Sequence, residues 1–133
     1  MKFLATIMAF VVSAQLQAAV CKIPAYDQLN QKYDAVLERV SVGGGVIESG
    51  LKTGRMILAC IVMEDLMTEL NQMDKEFNSM LALLADPATT EKYAKICGMT
   101  QDRMNNLSQM TKEITENNLG IIDVIKEYQQ ACK

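Results

Sequence analysis

From Leu66 to Leu84 the apolar residues fall at intervals of 4, 3, 4, 3 and 4: Leu66, Leu70, Met73, Phe77, Met80 and Leu84. Such spacing keeps one large side chain per turn on a single stripe of an α-helix. A stripe of this kind is the seam along which helices pack into a bundle. A half-buried strand would need strict alternation, and no stretch of the chain shows it. The only two prolines, Pro24 and Pro87, stand where helices begin rather than inside them. The period therefore predicts an all-α fold.

Read along the chain, the same period predicts a first helix over 25–41, with Tyr26, Leu29, Tyr33, Val36, Leu37 and Val40 inward. Gly43, Gly44 and Gly45 are expected to break it. A second helix, from 46 or 51 to 84, extends the Leu66 seam backward through Ile57, Leu58, Ile61 and Val62, and takes in Leu81. Asp86 can cap the next helix and Pro87 suits its first turn. A third helix is expected over 88–116, with Tyr93, Ile96, Cys97, Met104, Leu107, Met110 and Ile114 inside. Asn117, Asn118, Leu119 and Gly120 read as a turn into a short last helix carrying Ile121, Ile122, Ile125, Tyr128 and Cys132. The period alone also allows one continuous helix through that turn.

The first residues are expected to leave before the domain folds. Lys2 precedes the uncharged run FLATIMAFVVSA (3–14), and small residues follow at Ala18 and Ala19. That order is a secretory signal, residues 1–18, with cleavage after Ala18 or Ala19. The run is too short for the roughly 20 residues of a membrane span. A single helical domain, 19–133, remains, and the protein is expected to be secreted and extracellular.

Export puts the four cysteines, Cys21, Cys60, Cys97 and Cys132, in an oxidising compartment. An even count in a small secreted domain reads as two disulfides with three connectivities. With the chain reversed at the glycines and at Asp86-Pro87, Cys21, Cys60 and Cys97 come to similar levels at about 1.5 Å per residue. A straight last helix would carry Cys132 past them, so a reversal near Asn118 is favoured. The expected architecture is an up-down-up-down bundle of about four helices stapled by two disulfides. Cys21–Cys60 with Cys97–Cys132 is the preferred pairing, since each bond would staple one hairpin.

Composition removes most chemistry. The chain has no histidine, the usual general base and commonest metal ligand. No two cysteines are close enough in sequence for a zinc site or a redox pair. Glu64-Asp65 and the Glu113, Glu116 pair lie at polar helical positions, and Ser and Thr have no histidine to activate them. Neither enzymatic activity nor a cofactor or metal is expected. The net charge is −3, or −4 without the leader, with no basic cluster, which argues against nucleic acid.

Four further patterns read more simply as structure. Gly45 to Thr53 superficially matches a phosphate loop, but Leu51 separates Gly50 from Lys52 and no strand precedes it. Gly50 and Gly54 form a GxxxG pair, expected to let another helix approach closely. MILACIVM (56–63) is apolar all round, too short to span a bilayer, and expected to be buried on most sides. Of the ten methionines, Met73, Met80, Met104 and Met110 are expected in the core; Met63, Met67 and Met99 fall nearer the flanks, where they would suit an adaptable groove. Asn106-Leu107-Ser108 is a sequon, which makes Asn106 a candidate glycosylation site.

A leader beginning MKFLATIMAF, four cysteines ending in Cys132-Lys133 and a wholly helical mature region resemble mosquito salivary proteins of the anophensin and albicin type. The resemblance implies a host-directed inhibitor that binds a plasma protease system by protein–protein contact. The system would be the coagulation contact pathway or the alternative complement pathway. It assigns no partner-binding residue. Two alternatives stand beside it: an extracellular carrier of a small hydrophobic ligand, and a bacterial periplasmic or conjugation-pilus component.

Overall fold

A computed structural model describes residues 22–133. The expected signal, its cleavage site and Cys21 lie outside the described residues. Within them the chain is helical: α1 (Pro24–Thr53), α2 (Met56–Ala85), α3 (Pro87–Cys97) and α4 (Gln101–Gln129), ending in a 3-10 turn at Gln130–Cys132. The all-α reading and the count of four helices therefore hold among the described residues, but three are long and one is short.

The first break comes later than expected. Pro24 opens α1, and the helix runs straight through Gly43, Gly44 and Gly45 to Gly54, which takes the left-handed conformation (φ 75°) and ends it. A glycine inside a helix costs about 1 kcal/mol relative to alanine. Packing against α2 offsets part of that. A Cβ on Gly43 would stand 2.9 Å from Leu66 Cδ1 and 3.1 Å from Val62 Cγ1, and one on Gly50 would stand 2.9 Å from both Ala59 Cβ and the Arg55 carbonyl oxygen. The two glycines let the helix backbones approach. The expected close packing at the GxxxG pair is thus met by Gly50, while Gly54 makes the turn.

α2 then returns alongside α1. Lys32 pairs with Glu76 and Arg39 with Glu69, both at 2.7 Å, so a step of seven residues up α1 matches seven back along α2. Asp86 caps α3, its side chain accepting from the Ala88 N–H at 3.0 Å, as its sequence position implies. α3 ends at Gly98 (φ 67°), and Thr100 caps α4 by accepting from the Arg103 N–H at 3.2 Å. The expected third helix is therefore broken at 98–100.

The expected reversal at 117–120 does not occur, because α4 is continuous across it. Asn118 is fully buried and its Nδ2 donates to the Leu70 carbonyl oxygen at 3.0 Å, tying α4 to α2. A residue that reads as a turn former is used as an interhelical clamp. Gly120 faces open space, so it imposes no packing demand of its own.

These two changes overturn the preferred cysteine pairing. Cys60 bonds Cys132, with Cα atoms 5.9 Å apart. The turn at Gly54 puts Cys60 near the beginning of α2, and an unbroken α4 running antiparallel to α2 delivers Cys132 to that same end. Neither Cys21–Cys60 nor Cys97–Cys132 can then form. Cys97 is also disulfide-bonded.

The core runs between α1, α2 and α4. Tyr26, Leu29, Tyr33, Val36, Leu37 and Val40 are all buried, as are Leu66, Leu70, Met73, Phe77, Met80 and Leu84. Tyr33 meets Phe77 edge to face, with ring centroids 4.8 Å apart. Ile23 and Met99 are buried beside the helix starts. Near the Cys60 end the expected stripe is rotated. Ala59 and Met63 are buried, while Ile57 is 80 % exposed, Leu58 49 % and Ile61 51 %. Ile96, expected inside, is 67 % exposed.

Candidate functional site

α1 and α4 lie side by side against α2, and a narrow slot opens between them. Val40, Gly44 and Ile47 form one wall, one helical turn apart; Ile121, Val124, Ile125 and Tyr128 form the other. Leu66 of α2 is part of the lining and Glu48, exposed, stands beside it. Gly44 carries no side chain where α1 borders the slot. The enclosed volume is about 30 Å³. That is room for the end of one aliphatic side chain rather than for a separate molecule, since even a benzene-sized guest occupies a cavity of roughly 150 Å³. Tyr128 is 43 % exposed at its edge. A tyrosine with an apolar ring and a wet hydroxyl suits an interface.

A second apolar area covers the outside of the α1–α2 hairpin. There Val42 is 67 % exposed and joins half-buried Val46 and Val62 in a shallow groove that also includes Glu38, Arg39, Asp65 and Glu69. Leu58 and Ile61 extend the area one turn further along α2, and Ile57 stands beyond them. About α1 this area and the slot point in different directions, the slot toward α4 and the groove toward the outer side of α2.

The polar groups inside the bundle are structural. Burial pushes the Tyr33 phenol well above the ordinary tyrosine range, and burial also raises Tyr26. Both hydroxyls therefore stay neutral across the physiological range. Thr111 and Thr115 donate to the Leu107 and Thr111 carbonyl oxygens of their own helix at 2.7 and 2.8 Å. None of these groups lines the slot or the outer groove.

Other expected site residues are dispersed. Glu64, Asp65 and Glu116 are exposed, and Glu113 accepts a 3.3 Å bond from Gln109 Nε2 on the same helix. Among the described residues no group of three or more His, Cys, Asp or Glu can hold a metal ion, and no helix is long and apolar enough to cross a membrane. Asn106 is exposed on α4. The methionine groove does not materialise: Met63 and Met99 are buried and Met67 is packed against the core. The exposed apolar side chains are instead Val, Ile and Leu, with Tyr128.

Sequence reasoning passed over Val42, Val46 and Val124 as surface elements. The signal was present: Val42 and Val46 are four apart and off the Val36, Val40, Ile47 stripe. It becomes visible only once α1 is continuous through its glycines. No family model, curated protein or solved structure matches this chain.

Proposed function

We propose that this chain is an exported, non-enzymatic binding protein that acts by protein–protein contact, with the α1–α4 slot as its target-docking site. The observation that carries this is the slot itself: an apolar opening sized for one side chain, with half-exposed Tyr128 at its edge. Pockets of this shape, each accepting a single anchor, are where binding energy concentrates in protein interfaces. The Cys60–Cys132 bond adds rigidity, since it fixes the end of α4 that carries Tyr128 to α2. A wall held in place loses less conformational freedom on binding.

Taken with the resemblance to the salivary proteins, the target is a component of a plasma protease system, in the contact pathway or the alternative complement pathway. Inhibition would follow from occupying a surface of that assembly. The hydrophobic-carrier alternative draws no support from an opening of about 30 Å³.

The test is affinity capture from plasma on the immobilised, oxidised chain, with contact-pathway and alternative-pathway assays in parallel. Capture of a protease-system component is expected, with Tyr128→Ala and Val124→Asp each weakening it at least tenfold, about 1.4 kcal/mol, and far-UV circular dichroism unchanged. Failure to capture such a component or affect either assay, or equal capture by the folded variants, overturns the proposal.

A further inference from the structure

We infer that the outer face of the α1–α2 hairpin is a self-association surface, on which a second copy of this chain docks α2 against α2 in antiparallel, two-fold fashion. This does not rest on the slot or on any plasma target.

The first argument is the order of residues along α2. Arg55, at the hairpin tip, is followed by Ile57 and Leu58, then Ile61 and Val62, then Asp65. Residue 60 lies midway between Arg55 and Asp65, and the four apolar residues are disposed about nearly the same point. An antiparallel copy related by an axis through that level places Ile57 and Leu58 over the partner's Ile61 and Val62. It also brings Arg55 to the level of the partner's Asp65. The same occurs at the other end, as a two-fold axis requires. Arg55 and Asp65 are both exposed, and each stands roughly 7 Å along the helix from the axis at 1.5 Å per residue. A parallel arrangement would instead set Arg55 against Arg55.

The second argument is exposure. Val42, Ile57, Leu58 and Ile61 are each exposed by about half or more, and Val46 and Val62 connect them. Large apolar side chains left this exposed on one face are what an interaction surface presents. Glu38, Arg39, Asp65, Thr68 and Glu69 line the adjoining groove. An apolar centre with a charged rim is the anatomy such interfaces share. Cys60 is tied to Cys132, so the bond braces α2 from within the subunit. The α1–α4 slot is left open in each copy.

Sedimentation velocity and light scattering on the oxidised chain test the inference. A concentration-dependent dimer is expected. Ile61→Asp, at an exposed position, should give a folded monomer. Arg55→Glu and Asp65→Arg alone should each weaken the dimer about tenfold, and the double variant Arg55→Glu/Asp65→Arg should recover it. A wild-type chain that stays monomeric up to about 1 mM overturns the inference. So does a dimer indifferent to Ile61→Asp, or a charge swap that recovers nothing. Since the readout is mass, its failure leaves target capture untouched.

Discussion

Replacing Gly45 and Gly43 with alanine, one at a time, asks whether α1 is a single helix and what holds it so. Both residues sit inside the same helix, so both variants gain about 1 kcal/mol of helix propensity. At Gly45 an added Cβ meets nothing within 4 Å. That gain should therefore appear in full, raising the melting temperature by about 4 °C for a domain of this size. At Gly43 the new methyl would lie 2.9 Å from Leu66 Cδ1, and Leu66 is itself only 5 % exposed. Leu66 must shift or α1 must lift from α2, at a cost of about 1–3 kcal/mol for an overpacked contact. The net change there is between zero and a loss of about 2 kcal/mol. Thermal and urea unfolding followed by far-UV circular dichroism reads both. A lower melting temperature for Gly45→Ala would mean that the glycine is needed in a non-helical conformation and that α1 is broken there. Equal gains at the two positions would mean that the helices do not touch at Gly43.

Removing the Cys60–Cys132 bond by Cys60→Ala/Cys132→Ala opens a loop of 72 residues; chain entropy puts the loss near 4 kcal/mol, or roughly 15–20 °C in melting temperature, and a fall below about 5 °C would show that the bond constrains little. Tyr33 titrates well above 10.0 in the folded chain because burial opposes its ionised form. The unfolded chain thus releases that proton first, and stability is full below pH ~10 and falls above it. Tyr33→Phe keeps the ring against Phe77 and removes a hydroxyl with no partner. It should leave neutral-pH stability unchanged or raised by about 1 kcal/mol and flatten the alkaline loss, whereas a clear destabilisation at pH 7 would show that the hydroxyl is satisfied. Two neighbours in the apolar run should respond oppositely: Ile57→Gln, 80 % exposed, within about 0.5 kcal/mol of wild type, and Met63→Ala, fully buried, down by about 2–5 kcal/mol. Similar losses at both would mean that α2 is rotated from the orientation described.

What the sequence revealed, and what it concealed, divides along physical lines. The Tyr26 to Val40 and Leu66 to Leu84 stripes were legible because each has a polar opposite face, so the period fixes the direction of the core. Asp86-Pro87 was legible because capping is a local matter. The breaks at Gly43 and at Asn118 were misplaced for the opposite reason. Local propensity favours a turn at both, but the deciding contacts are tertiary, with Leu66 in one case and the Leu70 carbonyl in the other. Cysteine pairing inherits both errors, because it depends on where each helix starts. Of the candidate site, Tyr128 and Ile125 could be placed on one helix, but the facing wall of Val40, Gly44 and Ile47 required an unbroken α1.

The run MILACIVM shows why periodicity fails where function has room to act. Eight consecutive apolar residues cover every direction around a helix, so their pattern contains no information about which side is buried. Packing decides, and it takes Ala59 and Met63 inward while leaving Ile57, Leu58 and Ile61 outward. The inward pair explains itself through the core. The outward three do not: each leaves about half or more of its surface in water, where a polar residue would improve solubility. Their apolar character is therefore a property of the surface rather than of the fold. The symmetric placing of Arg55 and Asp65 around them is what a covering second copy would require.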